Sequence, residues 1–128
     1  MQGNKDNIIV NKSFEFALEI INFCETLEEM KKYVIARQLL KSGTSIGANI
    51  REAQNGESKA DFIHKLKISA KEADETEYWL LLCKHSKSYP DCDDLITKNK
   101  ELILIKYQKY HFLLPYNESL SPNALYLS

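Results

Sequence analysis

The sequence predicts an all-α protein: an antiparallel up-down-up-down four-helix bundle followed by an irregular C-terminal tail. Three observations carry that reading. Apolar residues recur at helical spacing through long stretches of chain. Two capping-box patterns, Thr26-Leu27-Glu28-Glu29 and Ser58-Lys59-Ala60-Asp61, stand ahead of such stretches. Asn55-Gly56 and Tyr89-Pro90-Asp91 interrupt them, as helix-ending residues do. The helices are expected near residues 7–25, 28–54, 58–87 and 91–113, within a bundle of residues 1–114 and a tail of residues 115–128.

In the first helix Val10, Phe14, Ala17, Leu18, Ile21 and Cys24 follow i, i+4, i+7 spacing. Phe16, Ile20, Phe23 and Leu27 make a second apolar stripe. One core needs only one stripe, so the other is expected to face a further helix or subunit. Thr26 is the expected start of the second helix, and Asn55-Gly56 its left-handed stop. Gly43 and Gly47 fall inside it at four-residue spacing, each costing about 1 kcal/mol against alanine. A phosphate-cradling loop would need Lys-Ser or Lys-Thr after the second glycine, and neither follows. Close packing of a neighbouring backbone, or a kink, is the better reading.

The third helix opens at Ser58 and runs without Gly or Pro to about Lys87 through Phe62, Leu66, Ala70, Ala73, Leu80 and Leu81. Asp91 is the expected cap of the fourth, in which Leu95, Leu102, Ile105 and Phe112 keep helical phase. Leu102-Ile103-Leu104-Ile105 alone resembles a buried strand, but no second strand exists to pair with it. Pro115 and Pro122 mark the tail.

With 128 residues the chain fits one domain. No apolar run approaches the ~20 residues of a membrane span. The N-terminus lacks the apolar segment of a signal peptide, so a cytoplasmic protein with no membrane partner is expected. Cys24, Cys83 and Cys92 are odd in number and widely spaced, which suits reduced thiols. A net charge of −1 excludes a polyelectrolyte binder, yet the charges are segregated. Between Lys31 and Arg51 lie five basic residues (Lys31, Lys32, Arg37, Lys41, Arg51) and no acidic one. Between Glu72 and Glu77 lie four acidic residues (Glu72, Asp74, Glu75, Glu77) and no basic one. Such blocks pair helices, pair subunits, or leave a basic surface for a polyanion.

Asn49, Glu52, Glu75 and Glu77 are the polar candidates on the second and third helices. Glu77 shares the Phe62, Leu66, Ala70, Ala73, Leu81 sector, and a buried carboxylate needs a partner, with Asn49 the first choice and Arg51 the alternative. A structural network is preferred to a catalytic acid–base pair. A di-iron bundle needs two Glu-x-x-His motifs; Asp61-x-x-His64 is a single approach, and His85 and His111 have no carboxylate three or four residues earlier. No metal, cofactor or catalytic residue is expected. Cys83 and His85, two residues apart, face different ways on a helix. Tyr78, Trp79, Tyr107 and Tyr110 read as core or interface rather than as base-stacking groups.

The second and third helices resemble the four-helix-bundle proteins known as 23S rRNA intervening-sequence proteins. Ser45, Ile46, Ala48, Asn49, Ile50 and Glu52, then Ser58 and Phe62 with Asp61 for a glutamate, then Glu75 and Glu77 before Leu80-Leu81 carry the resemblance. Gly47 stands where proline is common, Ala53 where glycine is, and Leu39-Leu40 where many relatives are arginine-rich. The resemblance implies a homopentameric bundle of unassigned role. It is similar too to the accessory protein of diversity-generating retroelements, which engages nucleic acid. The expectation is a non-enzymatic homo-oligomer that contacts RNA or DNA through Lys31, Lys32, Arg37, Lys41 and Arg51. The alternatives are a protein-partner scaffold or, more remotely, a small-molecule or metal enzyme.

Overall fold

The computed structural model describes residues 4–110, with the side chains of residues 8–106, 109 and 110. Four helices follow one another: α1 Asn4–Glu29, α2 Tyr33–Gln54, α3 Lys59–His85 and α4 Asp93–Lys109. The described residues contain no strand. α2 packs on α1 and α3, and α4 closes the square against both α3 and α1. α1 and α3 therefore hold opposite corners. The tail expected from residue 115 lies outside the described residues.

The core draws mainly on the second of the two stripes of α1 and takes Cys24 from the first. Phe16, Ile20 and Leu27 are buried beside Ile9 and Cys24, whereas Phe14, Leu18 and Ile21 stand exposed. The choice follows from the glycines of α2. A Cβ on Gly43 would come within 2.9 Å of Ile20, and one on Gly47 within 3.1 Å of the Ser13 carbonyl oxygen. The close-packing reading of this pair holds: the two backbones approach where neither glycine has a side chain.

Two helix boundaries differ from expectation. Thr26 does not begin α2; its hydroxyl donates back to the Asn22 carbonyl at 3.3 Å and α1 runs on through it. Leu27, buried, holds that extra turn in the core. The stop comes at Lys31, at φ 63, with Lys32 N–H donating to Leu27 O at 2.8 Å and closing a Schellman-type turn. A lysine does here what glycine usually does, so the sequence carried no punctuation. At the other end α2 stops at Gln54 as expected, but no glycine adopts positive φ among the described residues. Gly56 is needed for space: a Cβ there would sit 3.2 Å from the Ala53 carbonyl, the Asp61 carboxylate and the Phe62 N–H.

Ser58 caps α3 as predicted, its hydroxyl accepting from Asp61 N–H at 3.1 Å. Asp91 accepts from Asp93 N–H at 3.3 Å from one residue before the α4 cap, which is Cys92. Along the α1–α4 flank Lys12 pairs with Glu101 at 2.6 Å, and Lys98 with Glu19 at 2.7 Å and Asp94 at 3.0 Å. None of the helices among the described residues is long and apolar enough to cross a membrane.

Candidate functional site

The four polar residues singled out on α2 and α3 do not form one network in the subunit. Asn49 turns back on its own helix, donating to the Ser45 carbonyl at 2.8 Å. Glu52 accepts from Lys65 at 2.9 Å. Glu75 accepts from the Trp79 indole N–H at 3.4 Å. Glu77 is half-buried, and its carboxylate meets no hydrogen-bond donor among the described residues. The expected Asn49–Glu77 bond does not form: Asn49 spends its amide on its own helix, and both side chains are only half-buried.

The buried polar structure is built from other residues. On α3, Ser69, Ala73 and Thr76 share one face, at i, i+4 and i+7, in phase with Leu66 and Leu80. Ser69 donates to the Ile46 carbonyl of α2 at 2.9 Å and accepts from the Lys106 ammonium of α4 at 3.2 Å. One turn on, Asn99 donates to the Ala73 carbonyl at 3.0 Å, and then the Thr76 and Ser42 hydroxyls meet at 3.0 Å. These side chains are almost wholly shielded from solvent. Asn99 Oδ1 has no partner among the described residues.

This ladder joins three helices through small polar groups, which specifies register at positions where leucine would permit sliding. Its spacing was legible in principle, since Asn99 and Lys106 are seven residues apart and in phase with the buried Leu95 and Leu102. Nothing in the composition announced that a lysine would be interior. Burial lowers its amine from the usual 10.5 to about 8, against an opposing pull from Asp74.

Basic candidates divide by position. Lys32 lies 5.0 Å over the Tyr89 ring, a cation–π contact within the subunit. Lys31, Arg37, Lys41 and Arg51 are exposed, and no carboxylate lies within ion-pair distance of them among the described residues. Arg37 and Lys41, one turn apart, project from the same side of α2 as the exposed Tyr33. Arg51 lies ten residues beyond Lys41. It borders a groove between α1 and α2 of about 450 Å³, walled by Val10, Phe14, Ala17, Thr44 and Ala48.

No group of three histidine, cysteine, aspartate or glutamate side chains among the described residues could hold a metal ion. His64 and His85 are exposed. Cys24, Cys83 and Cys92 are free and buried, and burial pushes the first two thiols from 9.0 up to about 12, away from nucleophilic character. Of the aromatics, Tyr78 is exposed, while Tyr110 meets Phe62 edge-on at 5.7 Å. The side chain of Tyr107 lies outside the described ones, as does His111.

The family model described as 23S rRNA-intervening sequence protein matches residues 5–106. The chain belongs to this family. A crystal structure at 1.70 Å of a protein of unknown function from the S23 ribosomal protein family of Bacteroides thetaiotaomicron is similar to it at 42% identity. That likeness covers 80% of this chain and 97% of the other, with a TM-score of 0.76. No curated protein matches the chain. In this 23S rRNA-intervening sequence family member, several of the residues that carry the resemblance serve architecture. Ile46 and Ile50 are core, Asn49 and Ser45 bond within α2, and Ser58 caps α3.

Proposed function

We propose that this protein is a non-enzymatic helical scaffold that works as a homo-oligomer, a pentamer by resemblance to its family. One observation carries the self-association: a stripe of α1 left outside the core. Phe14, Leu18 and Ile21 stand exposed beside the α1–α2 groove, a contiguous apolar surface of the kind that marks an interaction site. The non-enzymatic reading rests on where the polar groups go, since those that converge do so inside the core, where all but Asn99 Oδ1 find a partner among the described residues. Light scattering at micromolar concentration should return five times the monomer mass; a monomer would end this reading.

A second function is favoured by Arg37 and Lys41, which stand exposed one turn apart on α2 and take part in none of the subunit's ion pairs among the described residues, although Lys41 acts at longer range on Glu72. Repeated around an oligomer, this small patch engages the phosphate backbone of RNA or DNA without reading sequence. Multivalency then raises avidity by ~10²–10⁴ over a single subunit. Gel mobility with RNA and with DNA at two salt concentrations tests it. Binding should weaken with a log–log slope of roughly 0.7–0.9 per phosphate neutralised. It should be lost in Arg37→Glu with Lys41→Glu. If both nucleic acids fail to bind at low salt, a scaffold for a protein partner is the remaining account.

A further inference from the structure

Two exposed apolar surfaces of opposite charge lie on helices that cannot meet within one subunit. The first is the α1–α2 groove. Phe14 stands 57% exposed on its wall, Leu18 is next to it at 48%, and Arg51 borders the α2 side. The second is the outer face of α3, where Tyr78 is 57% and Leu81 38% exposed, with Asp74 and Glu75 one turn earlier. α1 and α3 occupy opposite corners of the bundle, so only a second copy can bring the two surfaces together.

The charges point the same way. Among the described residues the five ion pairs of the subunit involve Lys12, Lys65, Lys84 and Lys98. None uses Arg37, Lys41 or Arg51, and none uses Asp74 or Glu75. The subunit pairs charges along its α1–α4, α2–α3 and α3–α4 flanks and leaves Arg51 at the groove and Glu75 on the α3 face outside any ion pair among the described residues. Setting groove against groove would oppose Arg51 to its own copy, whereas setting groove against α3 matches sign and apolar content at once.

We propose that the α1–α2 groove of one copy takes the Tyr78–Leu81 face of α3 of the next, with Arg51 beside Glu75. The inference rests on the self-assembly reading above and adds its geometry. The two patches differ, so the contact is head-to-tail: each copy uses its groove once and its α3 face once, and repetition closes a ring or propagates a filament. It also divides the labour of α2. The half around Thr44–Arg51 serves assembly, and the half around Tyr33–Lys41 remains outward.

Mixing two variants tests it. The groove variant carries Ala48→Glu with Arg51→Glu, and the face variant carries Glu75→Arg with Leu81→Arg, all at exposed positions. Each alone should sediment as a monomer, and an equimolar mixture should re-associate to twice the monomer mass or more, because one intact groove and one intact α3 face remain between them and the two altered surfaces are opposite in charge. A wild-type monomer would remove the assembly reading altogether. A wild-type oligomer whose variants keep the parental mass, or whose mixed variants stay monomeric, would leave assembly standing and overturn this pairing. Circular dichroism checks that each variant retains its helix content. Should either lose it, the single reversals Arg51→Glu and Glu75→Arg replace them: each should weaken association at least tenfold and their combination in one chain restore it, and failure of that rescue overturns the pairing equally.

Discussion

Replacing the interior lysine with an isosteric apolar chain should stabilise this protein. In Lys106→Met an unbranched apolar chain of similar length remains and the ammonium is removed. The drop of the amine from 10.5 to about 8 on folding amounts to a preference for its neutral form of about 3 kcal/mol, the stabilisation available at pH 7. Little opposes it. Ser69 loses a donor but still gives its own proton to the Ile46 carbonyl, and Asp74, whose carboxyl burial already raises above its usual value, loses a favourable charge while keeping solvent access. For a chain of this size a gain of 2–3 kcal/mol raises Tm by roughly 8–15 °C. The pH dependence has a defined sign. Between about pH 8 and 10.5 the unfolded chain holds a proton on this lysine that the folded one has released, so wild-type stability gains on the variant as pH rises. Below pH 8 both states are protonated and the full penalty applies. Urea melts of both proteins at pH 7, 9 and 10.5, at one protein concentration, measure the difference. A less stable variant at pH 7, or a difference that stays constant to pH 10.5, would refute the reasoning.

Three further outcomes follow from the packing. Gly43→Ala places a methyl 2.9 Å from Ile20, itself fully buried, so overpacking of about 1–3 kcal/mol should outweigh the ~1 kcal/mol gained in helix propensity. A higher urea midpoint would show that α1 shifts freely. Thr76→Val should cost about 1–2 kcal/mol and Ser42→Ala a comparable amount, with the double variant losing less than their sum because the two hydroxyls satisfy each other. Strict additivity in a double-mutant cycle would deny the bond. Cys24 and Cys83 have folded values raised from 9.0 to about 12, so the stability they contribute is complete below pH 9 and lost on the way to pH 12. Cys24→Ala with Cys83→Ala should flatten that alkaline decline, and native wild type should resist alkylation at pH 8.

The helices themselves were legible because their signals are local: periodic leucines, a serine cap, a proline break. What escaped was decided between helices. Two apolar stripes on α1 are equivalent in sequence, and only the hollows left by Gly43 and Gly47 select the one carrying Ile20. The turn after Glu29 escaped because Lys31 takes a left-handed conformation that sequence reading assigns to glycine or asparagine. The polar candidates went astray for a related reason. Conspicuous carboxylates such as Glu75 and Glu77 draw attention, yet the buried bonds are made by serines, a threonine, an asparagine and a lysine whose only mark is helical phase.

That choice of groups bears on how the bundle breathes. α4 is the shortest helix, at 17 residues, and it packs less extensively than α2 does on its neighbours. Two of its buried side chains, Asn99 and Lys106, are polar, and water can replace their bonds when the helix lifts away. Leaving the core therefore costs α4 less apolar contact than any other helix would lose. Its amides should exchange with solvent ahead of those in α1–α3, and a three-helix intermediate should be the first rung of unfolding. In an oligomer joined through α1, α2 and α3, such a rung would leave the junctions between subunits closed, so the assembly could fray at each α4 without falling apart.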